Sequence, residues 1–177
     1  SVASPKPGQN VQLTIDTATQ NAADGALAAL SQQASLVVMQ PSTGKVLAVA
    51  NSAAAGDDIA LVGQYPPGST FKIITASAAL AGTPGLTPDT PQDCPATITV
   101  DGRQFENQNQ FALGQVDLRT AFARSCNTTF IALGTSLPAS ALPDQATAFG
   151  LGADWALPVD SFSGSVPAPG SATVQAA

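Results

Sequence analysis

Along the first 50 residues the spacing of apolar positions changes three times. Val11, Leu13 and Ile15 alternate with Gln12 and Thr14, a period-two pattern that predicts a strand over residues 11–15. Between residues 17 and 30, Ala22, Ala26, Leu27, Ala29 and Leu30 form one helical face, with Asp16 or Thr17 placed to cap it. Gly25 weakens that helix. Two apolar runs, 36–39 and 45–50, then flank Pro41-Ser42-Thr43-Gly44, which predicts a hairpin turning at Gly44.

Residues 52–68 lose this periodicity and read as a loop rich in Ala, Gly, Asp and Pro. From Ser69 to Leu80 the apolar residues, among them Phe71, Ile73, Ile74, Ala78 and Ala79, fall on most sides, as in a buried helix. Pro66, Pro67 and Gly68 prevent that helix from starting earlier. Four prolines mark residues 82–95 as loop, and residues 97–105 read as a hairpin around Asp101-Gly102. Residues 117–137 carry the longest helical signal, through Leu118, Ala121, Phe122, Phe130, Ile131 and Leu133. A shorter helix follows over about 139–149, and the segment from 156 onward returns to Pro, Gly and Ser. The expected fold is α+β, with helices from Ser69 and from Asp117 layered on a small sheet of residues 11–15, 36–40 and 45–50. Residues 1–10, with Pro5, Pro7 and Gly8, read as a linker, and residues 11–177 as part of one domain.

Composition narrows the function. The 177 residues are 44% hydrophobic and only 10% charged, which argues against disorder. No apolar run reaches the roughly 20 residues of a membrane span. With no initiator Met and no basic-then-apolar leader, the chain reads as a mature or trimmed piece, any anchor lying outside it. Its net charge is −6 and its six cations (Lys6, Lys45, Lys72, Arg103, Arg119, Arg124) are scattered, so neither nucleic acid nor anionic lipid is an expected partner. The absence of histidine excludes a Ser-His-Asp triad, a Cys-His pair and any His-based zinc site, and two cysteines alone make no structural zinc site. No metal or cofactor is expected. A general base must be a carboxylate or one of three lysines.

Ser69-Thr70-Phe71-Lys72 is a Ser-x-x-Lys at the start of the buried helix, where residues three apart share a face. Serine needs a base beside it, and lysine serves only if burial or a positive helix end lowers its pKa. The spacing is not specific. Ser42-Thr43-Gly44-Lys45 matches it too, on a turn expected to face solvent. An N-cap serine with a lysine stretching to water would look the same. Ser125-Cys126-Asn127, a Ser-x-Asn, follows Ser69 by 56 residues inside the long helical signal. Such polar residues among Phe122, Phe130 and Ile131 call for buried partners or interrupt the helix.

Motifs, order and surroundings together resemble the penicillin-binding protein transpeptidases, kin of the serine β-lactamases, whose motifs include S-x-x-K, S-D-N or a variant, and K-T-G. The stretch Pro41-Ser42-Thr43-Gly44-Lys45 with its flanking runs, and Leu13-Thr14-Ile15-Asp16 followed by Gln20, are also similar to that family. The variant is closest to its class B enzymes. The resemblance implies a D,D-transpeptidase that cross-links peptidoglycan through an acyl-serine and is acylated by β-lactams. Ser69 would be the nucleophile, Lys72 its base and Ser125 a proton relay toward the leaving group. Asn127 would bind the substrate amide. All four would converge on one cleft. The implied partners are D-Ala-D-Ala stem peptides and β-lactams, and the implied location is the extracytoplasmic face of a bacterial membrane.

One departure stands out. No Lys-Thr-Gly or Lys-Ser-Gly occurs, so the chain is expected to be the N-terminal portion of the domain. The inner edge of its sheet would be left unpaired or covered by another chain, and the piece alone would be inactive. A β-lactamase is disfavoured because the single glutamate, Glu106, precedes Ser125. A β-lactam sensor domain shares the acylation chemistry and stays open. For a family working outside the cytoplasm, Cys94 and Cys126 are expected to form a disulfide, the alternative being two buried thiols.

Overall fold

Asp16 ends an exposed extended segment by capping the first helix. Its carboxylate accepts the Thr19 N–H at 2.8 Å and the Thr19 hydroxyl at 2.7 Å, and these bonds hold it below the ordinary carboxylate value. The computed structural model describes residues 10–56, 58–155 and 157–166, with Gly8 and Gly170. The expected linker at 1–10 lies outside them, apart from Gly8 and Asn10. The described residues form two compact units, one of those up to Gln64 with Pro158–Phe162, the other of those in 65–157 and from Ser163 onward.

In the first unit α1 (Thr17–Leu27) precedes a hairpin of β1 (Ser35–Gln40) and β2 (Lys45–Asn51). The strands pair antiparallel from Ser35↔Asn51 to Gln40↔Lys45, with an irregularity between Val38 and Met39. Gly44 closes the turn at φ 71°, a conformation open to glycine without strain. Ala23 and Leu27 of α1 pack on Ala48 and Ala50 of β2, and small residues let helix and strand approach closely. Gln20 fastens the two further, its side chain donating to Val49 O at 2.8 Å and accepting from Val49 N at 2.9 Å. A short α2 (Ile59–Val62) lies within what reads from sequence as loop.

Residues 11–15 are not a strand. They and the following Asp16 contribute isolated bonds to β2, from Thr14 Oγ1 to Val46 O and from Asp16 N to Leu47 O at 2.9 Å, without a ladder. Val11 and Leu13 stay 80% and 64% exposed, so the alternating pattern has no buried face to align it. Among the described residues β1 pairs only with β2.

The second unit is mainly helical, with two small ribbons. A 3-10 turn at Gly68–Phe71 leads into α3 (Lys72–Gly82). Next come β3 (Pro91–Cys94), β4 (Thr97–Val100), β5 (Arg103–Glu106) and β6 (Gly114–Asp117), then α4 (Leu118–Ala123), α5 (Asn127–Ser136) and α6 (Ala141–Ala148). β4 and β5 form the hairpin about Asp101-Gly102, both at positive φ. β3 pairs with β6, which places a strand in the proline-rich stretch that reads as loop. Pro91 is tolerated because it begins the strand. Ala78 and Ala79 of α3, Phe130, Leu133 and Leu137 of the α5 region and Leu142 of α6 make the core of this unit.

The expected helix 117–137 is two helices. Asp117 caps α4 by accepting the Thr120 N–H at 2.7 Å, and its own carboxyl is held below the usual value by that residue. Six residues later the helix stops in a left-handed turn. Ser125 sits at φ 55°, its N–H bonded to Phe122 O and the Cys126 N–H to Ala121 O, both at 2.9 Å. That bond pattern is the Schellman termination usually made by glycine. Apolar periodicity cannot register such a break, because Phe122 and Phe130 on either side still meet, their ring centroids 5.8 Å apart.

Candidate active site

Ser69 lies in the 3-10 turn and Lys72 is the first residue of α3, so the two side chains emerge three residues apart on one side. Lys72 Nζ donates to Ser69 Oγ at 2.9 Å. The break after α4 turns Ser125 and Asn127 toward the same amine. Nζ also donates to Ser125 Oγ at 3.0 Å, to Ser125 O at 3.1 Å and to Asn127 Oδ1 at 2.6 Å. Ser125 Oγ closes a triangle by donating to Ser69 Oγ at 2.9 Å. All four residues singled out in the two motifs therefore meet at one amine.

The surroundings of that amine are neutral. Its hydrogen-bond partners among the described residues are two hydroxyls, a carbonyl and a carboxamide, and the Phe130 ring centroid lies 5.9 Å away. Burial pushes Lys72 below the ordinary lysine range. A lysine so placed gives up its proton more readily than one in water. Ser69 itself is exposed. The arrangement joins an accessible hydroxyl to an amine with lowered proton affinity and to a second hydroxyl, so a proton can pass around the triangle.

Cys94 at the end of β3 and Cys126 between Ser125 and Asn127 are joined by a disulfide with Cα atoms 6.2 Å apart. Both residues are fully buried. Thr129 Oγ1 donates to Asp93 O at 2.7 Å and Thr128 Oγ1 to Pro95 O at 2.8 Å, so α5 is tied to the β3 end by side chains on both sides of the cross-link.

Two residues beside the site carry no mark in the sequence. Glu106 O accepts from Asn127 Nδ2 at 3.0 Å, and the buried Asn107 side chain accepts from Thr128 N at 3.1 Å. They stand in a polar run, Glu106-Asn107-Gln108-Asn109-Gln110, where nothing distinguishes the buried member. The Glu106 carboxylate accepts from Gln110 Nε2 at 2.9 Å. The Ser42–Lys45 copy lies on the exposed β1–β2 turn.

Known proteins resemble this chain in sequence and in fold. Residues 34–177 match the family described as penicillin binding protein transpeptidase domain. The peptidoglycan D,D-transpeptidase PbpA of Mycobacterium tuberculosis is 34% identical over 183 residues, covering 81% of this chain and 36% of the relative. The chain thus spans about a third of the length of the curated relatives it matches. The crystal structure of PBPA from Mycobacterium tuberculosis superposes with TM-score 0.85 at 30% identity, over 92% of this chain and 45% of that one. The penicillin G acyl-enzyme complex of penicillin-binding protein A from the same organism gives TM-score 0.83 at 31% identity, with the same coverage.

Proposed function

This chain belongs to the penicillin-binding protein transpeptidase family, and from that footing we propose that it carries the acylation half of a D,D-transpeptidase site. The Ser69–Lys72–Ser125 triangle, with all three contacts between 2.9 and 3.0 Å, is the observation that carries the reading. Neutral Lys72 takes the Ser69 proton as Oγ forms its bond to the carbonyl carbon of a D-Ala-D-Ala peptide or a β-lactam. The carbonyl oxygen becomes an oxyanion at the start of the Gly68–Phe71 turn, where a backbone N–H can stabilise it. The C–N bond then breaks, and the departing nitrogen receives the proton from Lys72 through Ser125. An ester on Ser69 remains, and an acceptor amine attacks it to form the cross-link. Asn127 keeps one free N–H and one free lone pair beyond its contacts with Glu106 and Lys72, enough to pair with the substrate amide.

The substrate class is the peptidoglycan stem peptide, and the work takes place on the extracytoplasmic face of a bacterial membrane. A Lys-Thr-Gly strand outside these 177 residues completes the carboxylate-binding side of the cleft. Support comes from the lack of that motif here and from the 36% of the relative that is covered.

The test is time-resolved labelling of the full-length protein with a fluorescent penicillin. A stable adduct on Ser69, identified by peptide mass, supports the reading. Rapid release of the label would instead indicate a β-lactamase. An unlabelled protein, or label on another residue, would sink the proposal.

A further inference from the structure

The peptide unit between Glu106 and Asn107 is gripped from both ends. Its carbonyl, Glu106 O, accepts from Asn127 Nδ2 at 3.0 Å, and its N–H, on Asn107, donates to Ala96 O at 3.1 Å. The Asn107 side chain is fully buried and anchors the same point. Its Nδ2 donates to Pro95 O and to Phe111 O, both at 2.8 Å, and its Oδ1 accepts from Thr128 N at 3.1 Å. Consecutive residues at the end of β5 therefore hold consecutive residues at the start of α5, 106 to 127 and 107 to 128.

This grip decides which face Asn127 shows to the amine. A carboxamide can flip, but the Glu106 carbonyl accepts only a donor, so Nδ2 turns toward it. Oδ1 is left facing Lys72 Nζ, at 2.6 Å. Were the amide reversed, a donor would oppose a donor at Lys72. The Thr128 N–H is one of the unpaired amides of the first turn of α5, and Asn107 caps it from outside the helix. Asn107 thereby sets both the position of α5 and the direction of the carbonyl that orients Asn127.

We propose that Asn107 is a positioning residue for acylation at Ser69, acting through the Glu106 carbonyl and Thr128 to fix Asn127 against Lys72. The proposal rests on the acyl-transfer reading above. Asn107 touches neither Ser69 nor Lys72, so removing it misplaces the hydrogen-bonded amine while leaving the groove that receives substrate. The acylation step slows, and initial binding changes little. The pH at which the rate rises also moves, because Lys72 loses a fixed acceptor.

The experiment measures penicillin acylation of the full-length protein by stopped flow, separating the binding constant from the acylation rate across pH 6–10. Asn107→Ala is expected to lower the acylation rate at least tenfold, change the binding constant less than twofold and shift the pH midpoint. Asn107→Asp keeps an acceptor facing Thr128 but sets a second oxygen against the Pro95 and Phe111 carbonyls, so it is expected to be no faster than Asn107→Ala. The control is Leu27→Ala, which opens a cavity in the buried cluster with Ala48 and Ala50 and touches no group at the site. It should match the wild-type rate and midpoint whatever its melting temperature. A rate in Asn107→Ala within threefold of wild type, or an equal fall in Leu27→Ala, overturns the positioning role. Should Asn107→Asp not fold, the comparison of Asn107→Ala with Leu27→Ala decides alone. Wild-type protein that is not acylated at all would overturn the acyl-transfer reading and this role with it, an outcome distinct from normal labelling in all variants.

Discussion

The chain contains the same four-residue spacing twice, and the two copies differ in everything except spacing. Ser42 and Lys45 bracket a hairpin turn. There the Thr43 and Gly44 N–H groups both bond to Gln40 O, Gly44 takes the left-handed conformation, and serine and lysine are exposed. Ser69 and Lys72 bracket the start of a helix. There Lys72 is half-buried and meets Ser69, Ser125 and Asn127 within 3.0 Å. Spacing brings serine and lysine within reach. Lowered proton affinity comes from burial of the lysine, and in the second copy its polar partners arrive from 53 and 55 residues further along.

The sharpest way to break this comparison is to remove each serine and each lysine. Ser69→Ala is expected to abolish penicillin labelling in the full-length protein, and Lys72→Ala to slow it by about 10²–10⁴-fold, the usual size of a general-base contribution. Ser42→Ala and Lys45→Ala should leave it unchanged. Gel fluorescence and peptide mass decide the matter. Equal losses from both pairs would mean that spacing alone was at work.

Next in size is the cross-link that holds the Ser-x-Asn element. Replacing both Cys94 and Cys126 with alanine opens a loop spanning 32 residues, for which chain entropy gives a loss of about 3–4 kcal/mol. Urea denaturation with and without reductant reads this directly. The same double variant should label more slowly. No corresponding effect exists for the turn copy, which carries no cross-link.

A smaller effect follows from the amine itself. Burial lowers the Lys72 pKa below its unfolded value of 10.5, so the unfolded chain binds the proton more tightly. Stability therefore rises with pH between the folded and unfolded values. Lys72→Met should remove that rise. Its advantage in urea midpoint over wild type should be largest below the folded pKa and shrink toward pH 10.5. The acylation rate of wild type should climb over the lower part of the same window, as the neutral amine forms. Smallest of all, Gly44→Ala should cost about 1 kcal/mol through its positive φ and leave labelling intact.

Much of this was legible from residues alone. Hairpins at Gly44 and at Asp101-Gly102 announce themselves through turn chemistry, and the helix at Ser69 through the prolines before it. The two site motifs are equally visible. What escaped was whatever depends on a partner distant in sequence. Val11, Leu13 and Ile15 alternate as a strand should, yet they lie against no ladder. Residues 117–137 keep helical spacing across a left-handed turn that depends on the φ of one serine. Asn107 is one polar residue in a polar run, and only the assembled fold shows it buried between Pro95, Phe111 and Thr128.

That serine sets two demands against each other. A residue at φ 55° is more comfortable as glycine, and exchanging Ser125 for glycine would relieve about 1 kcal/mol of backbone strain. The same exchange deletes the hydroxyl that contacts both Lys72 and Ser69. Selection for a sturdier fold and selection for a faster reaction pull position 125 in opposite directions. A directed-evolution experiment scored only on thermal tolerance would be expected to drift toward glycine there, and to lose the reaction as it did so.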